Sequence, residues 1–437
     1  MVRIRHILSA TIVVVLTLVG TASAAEPARG PDALRAWYKM VLELVRHTPT
    51  YSPPVASRSF AYLGVTAFEA MASGSSDLHS LAGQVNGLTA TPLREPGAIY
   101  DEAVILDAAM ASAVRSFFGN TGPTGQRALE AIETRLSERV SAGLPANVVK
   151  RSRTYGRSIA AHIFAWSETD GGATVENMGF PLQYELTNGP AHWVPTSTIG
   201  QQQTPLLPKW GENRTFAMPD GMACPLPAPP PYSEEEASEF YREALEVYET
   251  VADLSEEQRT IARFWSDDPM LSPTPPGHWI SIAWQVLDKQ EASLSDGVDL
   301  MARLGVSLAD SFIRCWQSKY EFDLVRPVTY IRRLIDPDWE PVLITPPFPE
   351  YPSGHSTQSG AAAAVLTAFF GDDFAFDDAT HEDDGLPART YRSFEAAAEE
   401  AAISRLYGGI HFRAAIDRGL EQGRCIGAYA TALRTRI

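Results

Sequence analysis

The chain has 437 residues, of which 45% are hydrophobic and 10% aromatic, so it can bury one large core or two moderate ones, and a disordered chain is excluded. A formal charge of −17 excludes nucleic acid and anionic membrane as partners of the surface as a whole, so a small anion must be held in a locally basic pocket. Cys224, Cys315 and Cys425 are too few for a disulfide framework and lack metal-site spacing, which leaves room for one bridge and three ways of forming it.

In chain order, "MVRIRH", the apolar run "ILSATIVVVLTLVG" and the small residues "TASAA" have the pattern of a secretory signal peptide over residues 1–24. The expected mature protein is exported, secreted or periplasmic, and is two charge units more negative without Arg3 and Arg5. No later apolar run reaches the roughly 20 residues that a membrane helix requires, so no span is expected after cleavage.

Residues 25–168 form an N-terminal helical half, because apolar residues recur three and four apart over 31–47, 57–73, 98–118, 124–142 and 147–168. From 169 to 232 that period stops, and eleven prolines fall between Pro181 and Pro231. Phe180, Tyr184, Trp193, Leu206, Leu207, Trp210 and Phe216 do not suit a free linker, so this stretch is expected to be a long irregular crossover packed on the helices. Helices resume over 233–437, with Ser233 and its following glutamates as a start signal. A further helix is expected over 296–319, with Met301, Leu304, Leu308, Phe312 and Trp316 in one stripe. The fold class is all-α, a helical bundle interrupted by a Pro-rich crossover, most simply one compact domain.

His-Glu-x-x-His, Gly-x-Ser-x-Gly and a phosphate-binding Gly-x-x-x-x-Gly-Lys are all missing from the sequence, which removes the simplest support for zinc hydrolase, serine esterase and nucleotide hydrolase readings. His47, His79, His162, His192 and His381 join no visible constellation, and His278-Trp279 reads as a buried structural pair more readily than as a pocket mouth. Three late segments carry chemistry: "KYEFDLVRP" (319–327), "PSGHS" (352–356) and "SRLYGGIH" (404–411). Lys319 and Arg326 are two helical turns apart, and Pro327 is expected to end their helix at Arg326. Gly354 allows close approach of a ligand to a helix start whose unpaired N–H groups favour an anion. Arg405 and His411 bracket the break at Gly408-Gly409. Singly, each residue has a plain structural explanation as a helix end, cap or turn. Together they supply three cations, a hydroxyl, a glycine N–H and two imidazoles, a donor set for a tetrahedral oxyanion. One imidazole would bond the central atom and the other would move a proton near neutral pH.

Lys-x6-Arg-Pro, Pro-Ser-Gly-His and Ser-Arg-x3-Gly-x-His together resemble the shared active site of vanadium-dependent haloperoxidases and type 2 phosphatidic-acid-phosphatase-like acid phosphatases. The wording of "KYEFDLVRP" and "PPFPEYPSGHS" resembles the chloroperoxidase-like bacterial branch of the haloperoxidases. Phe348, five residues before Ser353, matches the phenylalanine of chlorinating members, where brominating members often carry histidine. The resemblance implies the helical bundle of that family and vanadate as cofactor, without haem. It implies His411 as the axial ligand, with Lys319, Arg326, Ser353, Gly354 and Arg405 on the equatorial oxygens. It also implies His355 as the acid–base residue, Lys319 as the group that polarises peroxide, Phe348 at the halide pocket, and hydrogen peroxide and halide as substrates. One departure concerns the partner of His411. Many relatives carry Asp four residues after the ligand; here that position is Ala415, and Asp417 falls on the wrong helix face, which leaves a backbone carbonyl or another carboxylate as the candidates to orient the ring.

Because vanadate mimics phosphate, the same pocket fits an acid phosphatase in which His411 attacks phosphorus, His355 protonates the leaving alcohol and a phosphate ester is the substrate. A third class, a non-catalytic exported binder of phosphate or vanadate, would have no use for His355.

Overall fold

The structure, a computed structural model, describes residues 30–173, 184–197, 204–219, 222–268 and 270–437; the expected signal peptide and Phe180 of the crossover lie outside them. Five helices make the N-terminal half: α1 (Gly30–Arg46), α2 (Pro53–Ala72), α3 (Glu102–Phe117), α4 (Pro123–Ser141) and α5 (Ala146–Ser167). Eight follow the crossover: α6 (Glu239–Ala252), α7 (Glu256–Phe264), α8 (Thr274–Lys289), α9 (Leu294–Phe322), α10 (Pro327–Leu334), α11 (Gly354–Phe370), α12 (Phe394–Tyr407) and α13 (Arg413–Thr431). Strands β1 (Phe376–Asp378) and β2 (Arg389–Tyr391) form a small antiparallel ribbon with Phe376 opposite Tyr391. The all-α expectation holds, since no larger sheet occurs among the described residues.

The rod at the centre is α9, capped by reciprocal bonds between Ser293 and Asp296 and buried along nearly its whole length against α2, α11 and α13. Close crossings need small residues. A Cβ at Gly64 of α2 would meet the Met301 carbonyl of α9, and one at Gly423 of α13 would run into the Thr357 carbonyl of α11. The apolar core is continuous from Leu34 of α1 to Leu433 beyond α13, so both halves share it.

Two expected boundaries are corrected. The helix expected from Ser233 starts at Glu239, because Ser238 caps it through the Tyr241 N–H, while Ser233 accepts the Glu235 N–H in a local turn. The helix carrying Lys319 does not continue to Arg326. It ends at Phe322, with Asp323 in the left-handed region at φ 47°. The chain then runs against the crossover, Trp193 N–H donating to the Asp323 carbonyl and Val325 N–H to that of Ala191, each at 2.9 Å. Arg326 is therefore the residue that precedes α10, whose first position is Pro327.

The described crossover is packed on the helices as expected. Trp193, Leu207, Trp210 and Phe216 are buried, and Asp310 of α9 accepts the backbone N–H groups of Phe216, Ala217 and Met218 at 2.6, 2.9 and 2.9 Å. A disulfide joins Cys224 to Cys425 of α13 and leaves Cys315 as a buried free thiol, which resolves the open pairing.

Candidate active site

The three motif segments meet because α9, α11 and the turn between α12 and α13 end at one place. Ser353 caps α11 by accepting the Ser356 N–H at 3.3 Å, and its own N–H donates to the Ala415 carbonyl of α13 at 3.0 Å, so the last helix start is tied to the first turn of α11. Gly408 ends α12, Gly409 takes φ 74°, and the chain turns so that His411 lands beside Arg326.

His411 is the best-held member. Its Nδ1 lies 2.8 Å from Glu350 Oε1, which also accepts the Phe412 N–H at 2.9 Å. Its Nε2 lies 3.2 Å from Arg326 Nη1. A guanidinium only donates, so Nε2 is the acceptor and the ring proton is on Nδ1, donated to Glu350. Burial, reinforced by Arg326 and Lys319, holds the imidazole well below its ordinary range and keeps it neutral. Burial pushes the Glu350 carboxyl up to about 8, against the pull of Arg326 and Lys319. The Glu350 contact answers the question left by Ala415: the orienting group is a carboxylate from the segment before α11, 61 positions upstream, where no helical spacing points to it.

Arg326 is fully buried. Its Nε donates to the Phe348 carbonyl and Nη1 to that of Ile410, both at 2.9 Å, while Nη2 has no partner. Lys319, also fully buried, donates to the carbonyls of Pro349 at 3.1 Å, Glu350 at 3.0 Å and Pro352. All three of its ammonium donors are thus committed to the loop, and it acts first as a clamp on the segment that carries Glu350 and Ser353. Burial, with the like charge of Arg326, lowers Lys319 to about 7, while Cys315 and Glu350 pull it back up. Burial likewise lowers Arg326 to about 10. Phe348 covers both cations, its ring centre 5.1 Å from Lys319 Nζ and 5.1 Å from the Arg326 guanidinium, and it packs on Trp316 at 4.8 Å.

His355, in the first turn of α11, and Arg405, in the last turn of α12, face the open side. Arg405 donates to Ser404 Oγ at 3.0 Å and to the Trp265 carbonyl, and burial lowers it to about 10. Burial and then Arg405 lower His355 to about 4, with Asp267 opposing them. Phe348, Gly354, His355, Arg405 and His411 line a cavity of 1760 Å³ that continues between the two halves past Phe117, Phe164, Leu206 and Ile344. Lys319, Arg326 and Ser353 are buried beside these residues. A Cβ at Gly354 would meet the Trp316 ring at 3.8 Å and Cys315 Sγ at 4.0 Å, ordinary contacts, so the protein leaves that space free.

Three desolvated cations, one of them with an unpaired buried N–H, beside a neutral imidazole whose Nε2 lone pair meets only the Arg326 N–H, are a set that an oxyanion would satisfy. Vanadate or phosphate fits this set, with His411 Nε2 as the nitrogen that could bond the central atom.

The sequence reading missed a second cluster directly behind His355, and His381 is corrected from the residues without a constellation. Asp267, between α7 and α8, is the hub. Its Oδ1 is 2.9 Å from His278 Nδ1 and 3.5 Å from His381 Nε2, and its Oδ2 is 3.6 Å from His355 Nε2. His278-Trp279 is a fully buried pair, as the simpler alternative had it.

A family model for the second helical-bundle domain of vanadium chloroperoxidase matches residues 299–437. The chain is 27% identical over 211 residues to the vanadium chloroperoxidase of Curvularia inaequalis, covering 34% of this chain and 35% of that protein. It is 38% identical over 94 residues to the vanadium-dependent bromoperoxidase of Ascophyllum nodosum, covering 19% and 17%. These curated relatives are therefore matched over about a third or less of their own length. Among solved structures, a bacterial vanadium-dependent iodoperoxidase superposes with a TM-score of 0.85 at 38% identity, over 93% of this chain and 97% of that one. A holo-type bacterial vanadium-dependent chloroperoxidase shares the fold, with a TM-score of 0.71 at 18% identity over 93% and 95%.

Proposed function

The chain belongs to the vanadium haloperoxidase superfamily, and from that premise we propose that it is a vanadium-dependent haloperoxidase that oxidises halide with hydrogen peroxide. The observation that carries the reading is the neutral, oriented His411, with Nδ1–H held by Glu350 and the unprotonated Nε2 turned to Arg326, a donor that a bound oxyanion would draw to its own oxygens. Vanadate, when bound, would supply a Lewis acid for activating hydrogen peroxide towards halide. His411 would hold it, with Arg326, Arg405, Ser353 and the Gly354 N–H around its oxygens and Lys319 supplying positive charge from behind the loop.

The chain's own part in the reaction follows from the site. Buried cations stabilise negative charge more strongly than they would in water, and Phe348 keeps water from Lys319 and Arg326. Burial holds the His355 imidazole low, at about 4 in the anion-free site, which favours the neutral ring that can take a proton from incoming hydrogen peroxide. The cavity gives peroxide and halide a path to His355 and His411. The superposition on an iodoperoxidase over nearly the full length of both chains favours iodide as the halide, whereas Phe348 alone argues for chloride. The Cys224–Cys425 disulfide is in keeping with an exported protein.

The Glu350–His411 pair would equally activate Nε2 as a nucleophile, which keeps phosphate-ester hydrolysis as the second reading. Purified protein assayed for iodide oxidation with vanadate and hydrogen peroxide, beside phosphate-ester hydrolysis without vanadate, separates the two. Ester turnover with no halide oxidation at any pH would refute the haloperoxidase reading.

A further inference from the structure

Behind His355 lies a chain of buried titratable groups that anion binding does not use. Asp267 sits in a loop with its backbone in the left-handed region at φ 51°, and no regular element sets the direction of its carboxylate. His278 of α8 does so, with Nδ1 2.9 Å from Asp267 Oδ1. Its other nitrogen, Nε2, lies 2.8 Å from Oδ2 of Asp378 on β1, and the side chains of His278 and Asp267 are both wholly buried. An imidazole with a carboxylate at hydrogen-bond distance on each nitrogen donates from both, so the His278 ring is an imidazolium. It lies flat on Trp265, ring centres 4.4 Å apart. Burial alone would depress His278, yet the two aspartates raise it to about 10. Asp378 is itself fixed, its Oδ1 accepting the Thr380 N–H at 3.0 Å.

We propose that His278 and Asp378 are positioning residues for the reaction: the chain Asp378–His278–Asp267 aims Oδ2 of Asp267 at His355 Nε2, and so leaves Nδ1 of His355 as the nitrogen that exchanges a proton with the pocket. This rests on the role of His355 given above. The two nitrogens of an imidazole point to opposite sides of the ring, so an anion set against Nε2 selects the tautomer with its lone pair on Nδ1. When Nδ1 takes a proton from a donor in the cavity, Nε2–H stays on the ring and the new charge falls 3.6 Å from Asp267 Oδ2. His278 already holds both of its protons, so Asp267 stays an anion through that exchange instead of drawing a proton from the interior.

The groups that bear on this balance come from every side. Asp268 shares the loop with Asp267, Arg405 approaches from α12, and His411 stands at the start of α13. His381 meets Asp267, is itself 3.2 Å from Asp384, and Asp384 holds Arg46 of α1. Across Asp267, His278 and Asp378 two negative charges face one positive. Asp378→Asn removes one negative charge at nearly constant shape and keeps an oxygen for His278 Nε2–H, so it makes His355 harder to protonate.

The test is nitrogen-15 histidine NMR on the full-length, vanadate-free protein, with His278→Gln and His355→Gln assigning the two rings. A doubly protonated His278 at pH 7 is expected. So is a His355 midpoint lowered by about half a pH unit in Asp378→Asn and unmoved in Asp377→Asn, the exposed neighbour on the same strand. In iodide turnover, Asp378→Asn should move the acid limb of kcat to lower pH with KM for iodide unchanged, whereas a merely structural role would lower Tm and leave the limb in place. A neutral His278, an unmoved His355 midpoint, or one equivalent of divalent metal released from Asp267, His278 and His381 would each overturn the proposal. Should Asp378→Asn fail to fold, the protonation of His278 in the wild-type protein still decides it. If the NMR results hold but no halide is oxidised, the chain of contacts stands and the haloperoxidase reading fails.

Discussion

Glu350 is the residue whose loss should be felt most. Its Oε1 is the acceptor for both the His411 Nδ1–H and the Phe412 N–H, and its side chain is fully buried. Glu350→Ala leaves two buried N–H groups unpaired, at about 1–3 kcal/mol each, so a stability loss of about 2–6 kcal/mol is expected in denaturant unfolding. It also frees the His411 ring to turn or change tautomer. Removing the outer partner of a metal-binding histidine weakens metal affinity by about 10–100-fold, or about 1.4–2.8 kcal/mol. Glu350→Gln keeps an oxygen of the same shape for both donors and should stay within about threefold of wild type, because orientation rather than charge is what the contact supplies. Equilibrium dialysis of vanadate against the three proteins, with bound vanadium determined by elemental analysis, gives the affinities. Wild-type affinity in Glu350→Ala, or a Glu350→Gln defect as large as that of alanine, would refute the reasoning.

Further outcomes follow from the same geometry. Phosphate at a hundredfold its dissociation constant should stabilise the wild-type protein by about 2.7 kcal/mol and raise Tm, with the shift abolished in Arg326→Ala; an unchanged wild-type Tm would count against an anion site. Burial sets the His355 imidazole low, at about 4 in the anion-free site, and a bound anion raises it from there. Its neutral form is present above that value, so in the vanadate-free protein the His355 ring should titrate well below pH 6.5, and the acid limb of iodide turnover should lie above that anion-free midpoint; an anion-free midpoint near pH 7 would contradict this. Phe348→Ala uncovers Lys319 and Arg326 and should lose about 1–3 kcal/mol in denaturant unfolding, whereas an unaltered midpoint would show that the ring does not shield the cations. Breaking the Cys224–Cys425 bridge, which closes a sequence separation of 201, should cost up to about 5 kcal/mol on the chain-entropy account, seen as a lower Tm in Cys224→Ser.

The helical bundle was legible because amphipathic periods are local, and α1 to α5 begin and end close to where apolar spacing and turn residues place them. The motif residues were legible because each lies in a short segment of distinctive order. Contacts between segments were not. Helix α9 stops at Phe322 because residues 323–325 pair with the crossover, and no spacing within 319–327 announces that. Glu350 stood in plain view inside "PPFPEYPSGHS", but its pairing with His411 depends on the turn at Gly409. Asp267, His278, Asp378 and His381 come from a loop, a helix, a strand and a short turn, and only the tertiary fold brings them together. Lys319 was legible as a site cation, yet its donors go to three carbonyls of the segment before α11, a use that residue type alone does not suggest.

The disulfide has a consequence for how the chain matures. Cys315 lies between Cys224 and Cys425 in sequence and ends as a buried thiol on α9. A chain made N-terminus first presents Cys224 and Cys315 together, with a further 110 residues still to come before the correct partner arrives. Under oxidising conditions the earliest bridge available is thus the wrong one, and it would keep Cys315 from its place beside Lys319. A thiol–disulfide isomerase, or rapid burial of α9 against α2, would clear that trap. Cys315→Ser should therefore raise the yield of correctly bridged protein from oxidative refolding.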